Sequence, residues 1–225
     1  QYSVHTNYAK AWNLIGFDKT SPDTFGQELY DYKTTPNSST PYDLQTAIPE
    51  FKDVGDIDFA TILFKTEGIG NGISDYLDNT IAFASFAASK TNPNSLGMLG
   101  STDSETGTSI WLGVNAPCPL TPDDAKIGFE WNKGSKYWRS MTYAEDTYAG
   151  SKIATRGQAW EVYRTQKLTE ALSFGVSYVL MQYDYTGSNS FFGYDGTPYK
   201  IGSAEAGNKA VKEAQDVRAY MRYKF

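Results

Sequence analysis

The last ten residues of the chain alternate without interruption between apolar and polar side chains. The apolar positions are Val217, Ala219, Met221, Tyr223 and Phe225. The positions between them are Asp216, Arg218, Tyr220, Arg222 and Lys224. Because neighbouring side chains of a β-strand point to opposite faces, a period of two predicts a strand with one apolar and one polar face.

Similar but less regular alternation predicts seven earlier strands. They cover residues 2–17, 56–66, 79–90, 107–116, 125–133, 154–168 and 171–186. Four long polar segments are predicted to be loops: residues 18–55, 91–106, 134–153 and 187–214. Residues 203–214 favour a turn or two of helix at the end of the last loop.

The long loops follow the first, third, fifth and seventh strands, whereas the other connections are shorter. This sorting is typical of an antiparallel barrel whose long loops all lie on one side of a membrane. A last strand that ends on Phe225 also fits a closing strand of an outer-membrane barrel, with its apolar side chains toward lipid. The predicted fold class is therefore all-β, an antiparallel transmembrane β-barrel. Residues 1–225 supply about eight strands, either as the whole barrel or as the C-terminal half of a larger one.

Composition narrows the classes of partner. The 225 residues include 17 Tyr, 12 Phe, 5 Trp and 20 Gly, and the net charge is −6. The lack of a basic run argues against nucleic-acid binding, and the lack of a long apolar run excludes a transmembrane helix. With one cysteine, Cys118, and one histidine, His5, neither an intrachain disulfide nor a His/Cys metal cluster can form. The sequence predicts no metal site and no cofactor.

Three stretches carry a resemblance to a known family. They are APCPLTPDDAKIGFEWNKGSKYWRSMTYAEDTYAGSKIATRG at 116–157, QYDYTGSNSFFGYDGTP at 182–198 and AQDVRAYMRYKF at 214–225. The chain resembles a domain-of-unknown-function family of porin-like outer-membrane proteins from campylobacter-like and related bacteria. The resemblance implies an outer-membrane barrel, and longer relatives with a signal peptide and a further barrel-forming half.

The number of strands decides the predicted function. About eight strands enclose an interior filled by side chains, whereas about sixteen leave an aqueous channel. The resemblance favours the larger barrel, and so a non-enzymatic, porin-like channel for passive diffusion of small polar solutes or ions. If eight strands are the whole barrel, the expected role is anchoring, adhesion or catalysis. The expected location is the bacterial outer membrane, in contact with its lipid. The sequence is compatible with a homo-oligomer and does not decide the oligomeric state.

Charged and polar positions of the strands predict the residues that line the path. The candidates on strands are Lys126, Glu130, Asn132, Arg156, Arg218, Arg222 and Lys224. In the loop after the fifth strand, Lys136 and Arg139 opposite Glu145 and Asp146 are predicted to form a constriction, since rings of charge set the ion preference of a pore. The alternative for each residue is an ordinary solvated surface charge.

The apolar face of the last strand has a second predicted role. We expect the barrel-assembly machinery of the outer membrane to recognise it. The residues of this predicted signal are Val217, Ala219, Met221, Tyr223 and Phe225.

Two other classes of function fit parts of the sequence. An outer-membrane hydrolase would use His5 as general base beside Ser3, which shares its face of the first strand. A soluble secreted β-sandwich would bind carbohydrate through exposed Trp and Tyr side chains, and it fits the composition equally well. The sorting of the loops and the ending on Phe225 count against the sandwich.

Overall fold

The computed structural model describes residues 1–17, 51–70, 72–94, 99–140, 142, 150–188, 196–207 and 210–224. Eight strands account for most of them. Their bounds are β1 (Tyr2–Phe17), β2 (Phe51–Glu67), β3 (Ile81–Pro93), β4 (Thr106–Pro117), β5 (Ala125–Gly134), β6 (Gly157–Lys167), β7 (Leu172–Tyr183) and β8 (Glu213–Tyr223). One short helix, α1 (Asp75–Asp78), and a 3₁₀ turn at Lys152–Ala154 complete the regular structure of these ranges. No helix in the described ranges is long and apolar enough to cross a bilayer.

The eight strands form one sheet in the order of the sequence. Each strand pairs antiparallel with the next, from β1 beside β2 to β7 beside β8. The sheet is open, because the described residues of β1 and β8 each pair on one side only. The prediction of an all-β antiparallel fold with eight strands is confirmed.

Several predicted boundaries are wrong. β2 begins at Phe51 rather than residue 56, so the loop predicted for 18–55 includes the start of a strand, where Val54 packs against Leu99. The helix expected in 203–214 does not form in the described part of that segment. Gly207 interrupts it with a φ of +73°, a left-handed conformation that does not continue a helix, and β8 has begun by residue 213. The sequence also gave no sign of α1.

The sheet has one apolar face. Every strand contributes at least one large apolar side chain that is between 39% and 65% exposed: Val4, Phe64, Phe86, Ile110, Phe129, Val162, Val176 and Met221. The strand register places these side chains on the same side of the sheet. From β3 to β8, the charged side chains of this apolar face lie within four residues of a strand end, at Lys90, Lys133, Arg164 and Glu213.

From β3 to β8, the opposite side, the polar face, carries the charges that lie midway along the strands, whereas on β1 and β2 the ion pair of Lys10 with Asp58 lies on the apolar face. Register partners on the polar face include Glu130 with Glu161 and Val179 with Asp216. Two small apolar clusters cover the end of the polar face nearest the long loops. Toward the β1 edge the cluster consists of Val54, Ile57 and Leu99, and toward the β8 edge it consists of Ala159, Val179 and Met181. Leu99 of the loop after β3 and Lys152 of the loop after β5 therefore pack onto the polar face.

Three pairs of a glycine and an aromatic residue form a row on the polar face. Each pair joins two neighbouring strands in direct register: Phe83 with Gly113, Tyr163 with Gly128, and Tyr220 with Gly175. A Cβ atom on any of these glycines would lie within 2.0–2.3 Å of the partner's ring. Glycine is therefore required where the ring lies flat over the neighbouring strand.

Candidate functional site

An ionic cluster lies midway along β5 on the polar face. Glu130 of β5 and Glu161 of β6 stand directly opposite each other in the register. The ammonium of Lys152 lies between them, 2.7 Å from Oε2 of Glu130 and in hydrogen-bond contact with Oε2 of Glu161. The three side chains are only 13–16% exposed. We call these three residues the Glu–Lys–Glu cluster.

Residues around the cluster fix its members. The indole N–H of Trp111 donates to Oε2 of Glu130 at 2.9 Å, and the Lys152 ammonium lies 5.5 Å from the centre of the same indole. The side-chain amide of Asn132 donates to the carbonyl oxygen of Lys152 at 2.9 Å. The indole N–H of Trp138 donates to the carbonyl of Ile153 at 2.8 Å. The segment that carries Lys152 is therefore held against β5.

Arg156 follows this segment, one residue before β6 begins, and its side chain is buried. Its exposed fraction is 1%. Nε donates to the carbonyl of Trp138 at 3.0 Å, and Nη1 donates to the carbonyls of Thr186 and Gly196 at 3.0 and 2.9 Å. Burial, together with the nearby charge of Arg139, lowers the pKa of Arg156 to about 9, so the guanidinium stays cationic at neutral pH. Arg156 thus joins loops rather than lining an open path.

The other predicted strand residues fall into two groups. Lys126, Arg218 and Arg222 lie on the polar face, and Arg218 donates from Nε to Asp216 at 2.5 Å. Lys224 follows the end of β8. A cavity of about 500 Å³ lies at the end of the sheet with the short turns. Cations of β5, β6, β8 and the residues after β8 line it together with turn carboxylates: Lys126, Lys167, Arg222, Lys224, Asp123, Asp124 and Glu170.

Two of the four residues of the predicted constriction after the fifth strand lie in the described ranges. Lys136 lies at the long-loop end with its ammonium 4.7 Å from the ring centre of Tyr137, and a hydrogen bond to Tyr137 raises the pKa of Lys136. Arg139 is 5% exposed, and its backbone N–H donates to Oγ of Ser89 at 3.1 Å. Glu145 and Asp146 lie outside the described residues, as does Phe225.

Comparison with known proteins gives one match. The model of a family described as "Protein of unknown function (DUF3373)" matches residues 1–225. The chain belongs to this family. No curated protein and no solved structure matches the chain. The expected family of unknown function is thereby confirmed for this DUF3373 chain, whereas the porin-like character and bacterial group stay predictions.

The DUF3373 sheet brings together residues that the sequence did not single out. Lys152, Glu161 and Trp111 were absent from the predicted set. The alternation in β6 contains a signal for one of them: Trp160 and Val162 occupy the apolar face, so Glu161 between them belongs to the polar face. Nothing local indicates that Lys152, in a loop, reaches the middle of two strands.

The Ser–His pair of the enzymatic alternative is formed. Nε2 of His5 lies 3.0 Å from Oγ of Ser3 on the edge strand β1 of the DUF3373 sheet. Over the part of the chain that the structure describes, no other side chain hydrogen-bonds the imidazole. A general base is normally oriented by a third group, so the pair is an incomplete catalytic arrangement there. Within the same described ranges, no group of three or more His, Cys, Asp or Glu side chains is arranged to hold a metal ion.

Proposed function

We propose that these eight strands form part of the wall of a bacterial outer-membrane β-barrel. Their polar face lines a path for small polar solutes or ions. The observation that supports this best is the exposed apolar face, to which every strand from β1 to β8 contributes a large side chain. An exposed apolar surface of this extent marks contact with lipid or with another protein. Mid-strand charges on the opposite side suit a water-filled interior.

Aromatic side chains support a lipid environment for the apolar face. Tyr2 and Tyr223 lie on this face at the short-turn end of the two edge strands and are 74% and 61% exposed. Aromatic residues collect at the borders of outer-membrane barrels, where they meet the lipid headgroups. A soluble sandwich would need a second sheet over the same face.

Closure of the proposed barrel requires strands other than these eight. Both edge strands have one unpaired side in the described sheet, and unpaired backbone groups do not persist in a bilayer. A total of about sixteen strands would leave an aqueous channel, whereas about eight would fill the interior with side chains. The open sheet therefore favours the larger barrel and passive diffusion over a small closed barrel.

Adjacent residues of β3 test the two faces directly. Ala84 is exposed on the apolar face, and Ser85 lies next to it on the polar face. We expect Ser85→Cys, in a Cys118→Ser background and in lipid vesicles, to react with a water-soluble, membrane-impermeant maleimide. Ala84→Cys should stay unreactive, because lipid excludes the reagent. Mass spectrometry measures the labelled fraction.

The two cysteine variants control each other, since both are small substitutions on one strand. A nitroxide at each position adds a second readout: relaxation by lipid-soluble oxygen should be stronger at position 84, and relaxation by a water-soluble nickel complex stronger at position 85. Equal labelling of both positions from water would remove the membrane assignment. Planar-bilayer recordings of the full-length protein then test passage of ions, and an unchanged baseline would remove the channel.

A further inference from the structure

The Glu–Lys–Glu cluster contains a cation that the strands do not supply. Glu130 and Glu161 are direct cross-strand neighbours, and like charges in that position destabilise a sheet. Lys152 relieves this repulsion from the loop between β5 and β6, with its ammonium against both carboxylates. The polar face therefore has a place for a cation, and a side chain of the protein occupies it.

The position of Lys152 is fixed from several directions. Its carbonyl is held by Asn132 of β5, and the next carbonyl is held by Trp138. Trp111 of β4 orients Glu130 and places an indole face beside the ammonium. Because both the backbone and the ammonium are held, Lys152 is a fixed part of the interior surface rather than a solvated loop side chain.

The cluster lies where a fixed charge affects passing ions most. Glu130 is midway along β5, away from both mouths of the proposed path. A cavity of about 60 Å³ beside it is lined by Lys152, Glu161, Asp216 and Arg218. Asp216 and Arg218 neutralise each other through their ion pair, so the cluster, with two carboxylates and one ammonium, determines the local excess of charge.

From this arrangement we infer that Lys152 is a specificity-determining residue of the proposed path. It is a tethered cation that fills the place between Glu130 and Glu161 and so reduces the preference of the path for small cations. This inference rests on the proposed function, because it assigns the ion preference of the same interior. It predicts that removing the ammonium exposes a paired-carboxylate site to mobile cations.

The ion preference of the full-length protein tests the inference. In a planar bilayer with a KCl gradient, Lys152→Met should raise the ratio of K⁺ to Cl⁻ permeability about thirtyfold, because one unit charge about 4 Å from a monovalent ion in water changes the permeation of K⁺ and of Cl⁻ about fivefold each, in opposite directions. Lys152→Arg should keep the wild-type ratio, because the charge is retained. Glu130→Gln should lower the ratio. The matched control is Lys133→Met, which removes a lysine from the apolar face of the same strand.

A second readout does not depend on conduction. Terbium ion bound at Glu130 and Glu161 would be excited through Trp111, whose indole contacts Glu130. In detergent micelles, Lys152→Met should show tryptophan-sensitised terbium luminescence that the wild type and the Lys152→Met/Glu130→Gln/Glu161→Gln variant lack.

The two readouts separate the possible failures. A conducting channel in which Lys152→Met keeps the wild-type permeability ratio overturns the inference. If the wild type does not conduct, the proposed function fails and the role in ion preference fails with it. Terbium luminescence then decides whether Lys152 occupies a cation site at all: no gain over wild type in folded Lys152→Met, with Lys152→Arg as the folding reference, overturns that part too.

Discussion

The guanidinium of Arg156 lies at the junction of the loops that follow β5 and β7. It donates to carbonyls of Trp138, Thr186 and Gly196, so one side chain connects three backbone segments that are distant in the sequence. A buried cation is stable only when such partners replace its water. The burial of Arg156 therefore depends on the loop positions, and the loop positions depend on Arg156.

Replacing Arg156 should loosen these loops. In Arg156→Met three carbonyls, two of them buried, lose a charged donor, and we expect the local free energy of opening to fall by about 3 kcal/mol. The amide of Thr186, which donates to the carbonyl of Tyr199 at 2.9 Å, should exchange with solvent about a hundredfold faster. Hydrogen-exchange mass spectrometry measures this rate. Arg164→Met, at the opposite end of β6, is the control, and equal exchange in both variants would contradict the role of Arg156.

Single residues were predictable where alternation decides their face. The sequence placed Lys126, Glu130 and Asn132 on one side of the fifth strand, and the structure has them together on the polar face. Arg156 was expected on a strand, but it lies one residue before β6, where packing of loops rather than a period of two decides its direction. Lys152 could not be predicted, because its contacts span from loop to strand and depend on the folded path of the backbone.

At the scale of elements, β8 shows which features of a strand are determined by alternation of apolar and polar side chains. Its alternation is realised, with Val217, Ala219, Met221 and Tyr223 on the apolar face. The strand begins at Glu213, three residues earlier than the pattern indicated, because pairing with Gln182 of β7 extends it. Pairing with a neighbour therefore sets the ends of a strand, whereas the sequence of the strand itself sets its faces.

The apolar face of β8 should matter for assembly. If the barrel-assembly machinery recognises this segment, as we propose, Tyr223→Ala together with Phe225→Ala should lower the amount of protein assembled in the outer membrane several-fold, since the proposed signal would lose its aromatic side chains. The assembled fraction is measured on gels of membrane fractions, as the share of the protein whose migration differs between unboiled and boiled samples. Arg222→Ala together with Lys224→Ala changes the alternate polar positions at the same end of the chain and should assemble normally. Similar loss in both double variants would show that any change at this end impairs assembly.

At the scale of the whole molecule, the eight strands form an antiparallel meander in which β1 and β8 are unpaired edges of the described sheet. Neighbouring strands are always sequential, so every pairing is local along the chain. Sorting of long and short connections was predictable from segment lengths, because sequential antiparallel strands must place alternate turns at opposite ends. The prediction that the sheet closes into a barrel had no such basis, because closure is a pairing between the most distant strands and leaves no local pattern in the sequence; the described sheet is open.

The separation of β1 and β8 can be measured. With nitroxides at Thr6→Cys and Ala219→Cys in the full-length protein, we expect a distance of at least about 30 Å, since seven strand spacings of about 4.8 Å separate β1 from β8. Double electron–electron resonance measures the distance. A closed eight-stranded barrel would instead bring the labels within about 15 Å. Labels at Ala60 and Ala88, which are register partners of β2 and β3, give the adjacent-strand reference.

Each of the three glycine–aromatic pairs helps to fix the register between the two strands of one hairpin. They join β3 to β4, β5 to β6 and β7 to β8 near the short-turn end, while the long loops tie the same strand pairs at the other end. A slip by one residue inside a hairpin would turn the aromatic ring to the wrong face, so each hairpin keeps its own register. Duplication or loss of one hairpin would thus change the width of the sheet by two strands and leave the remaining pairings intact. The fold carries a unit by which the number of strands can change in evolution.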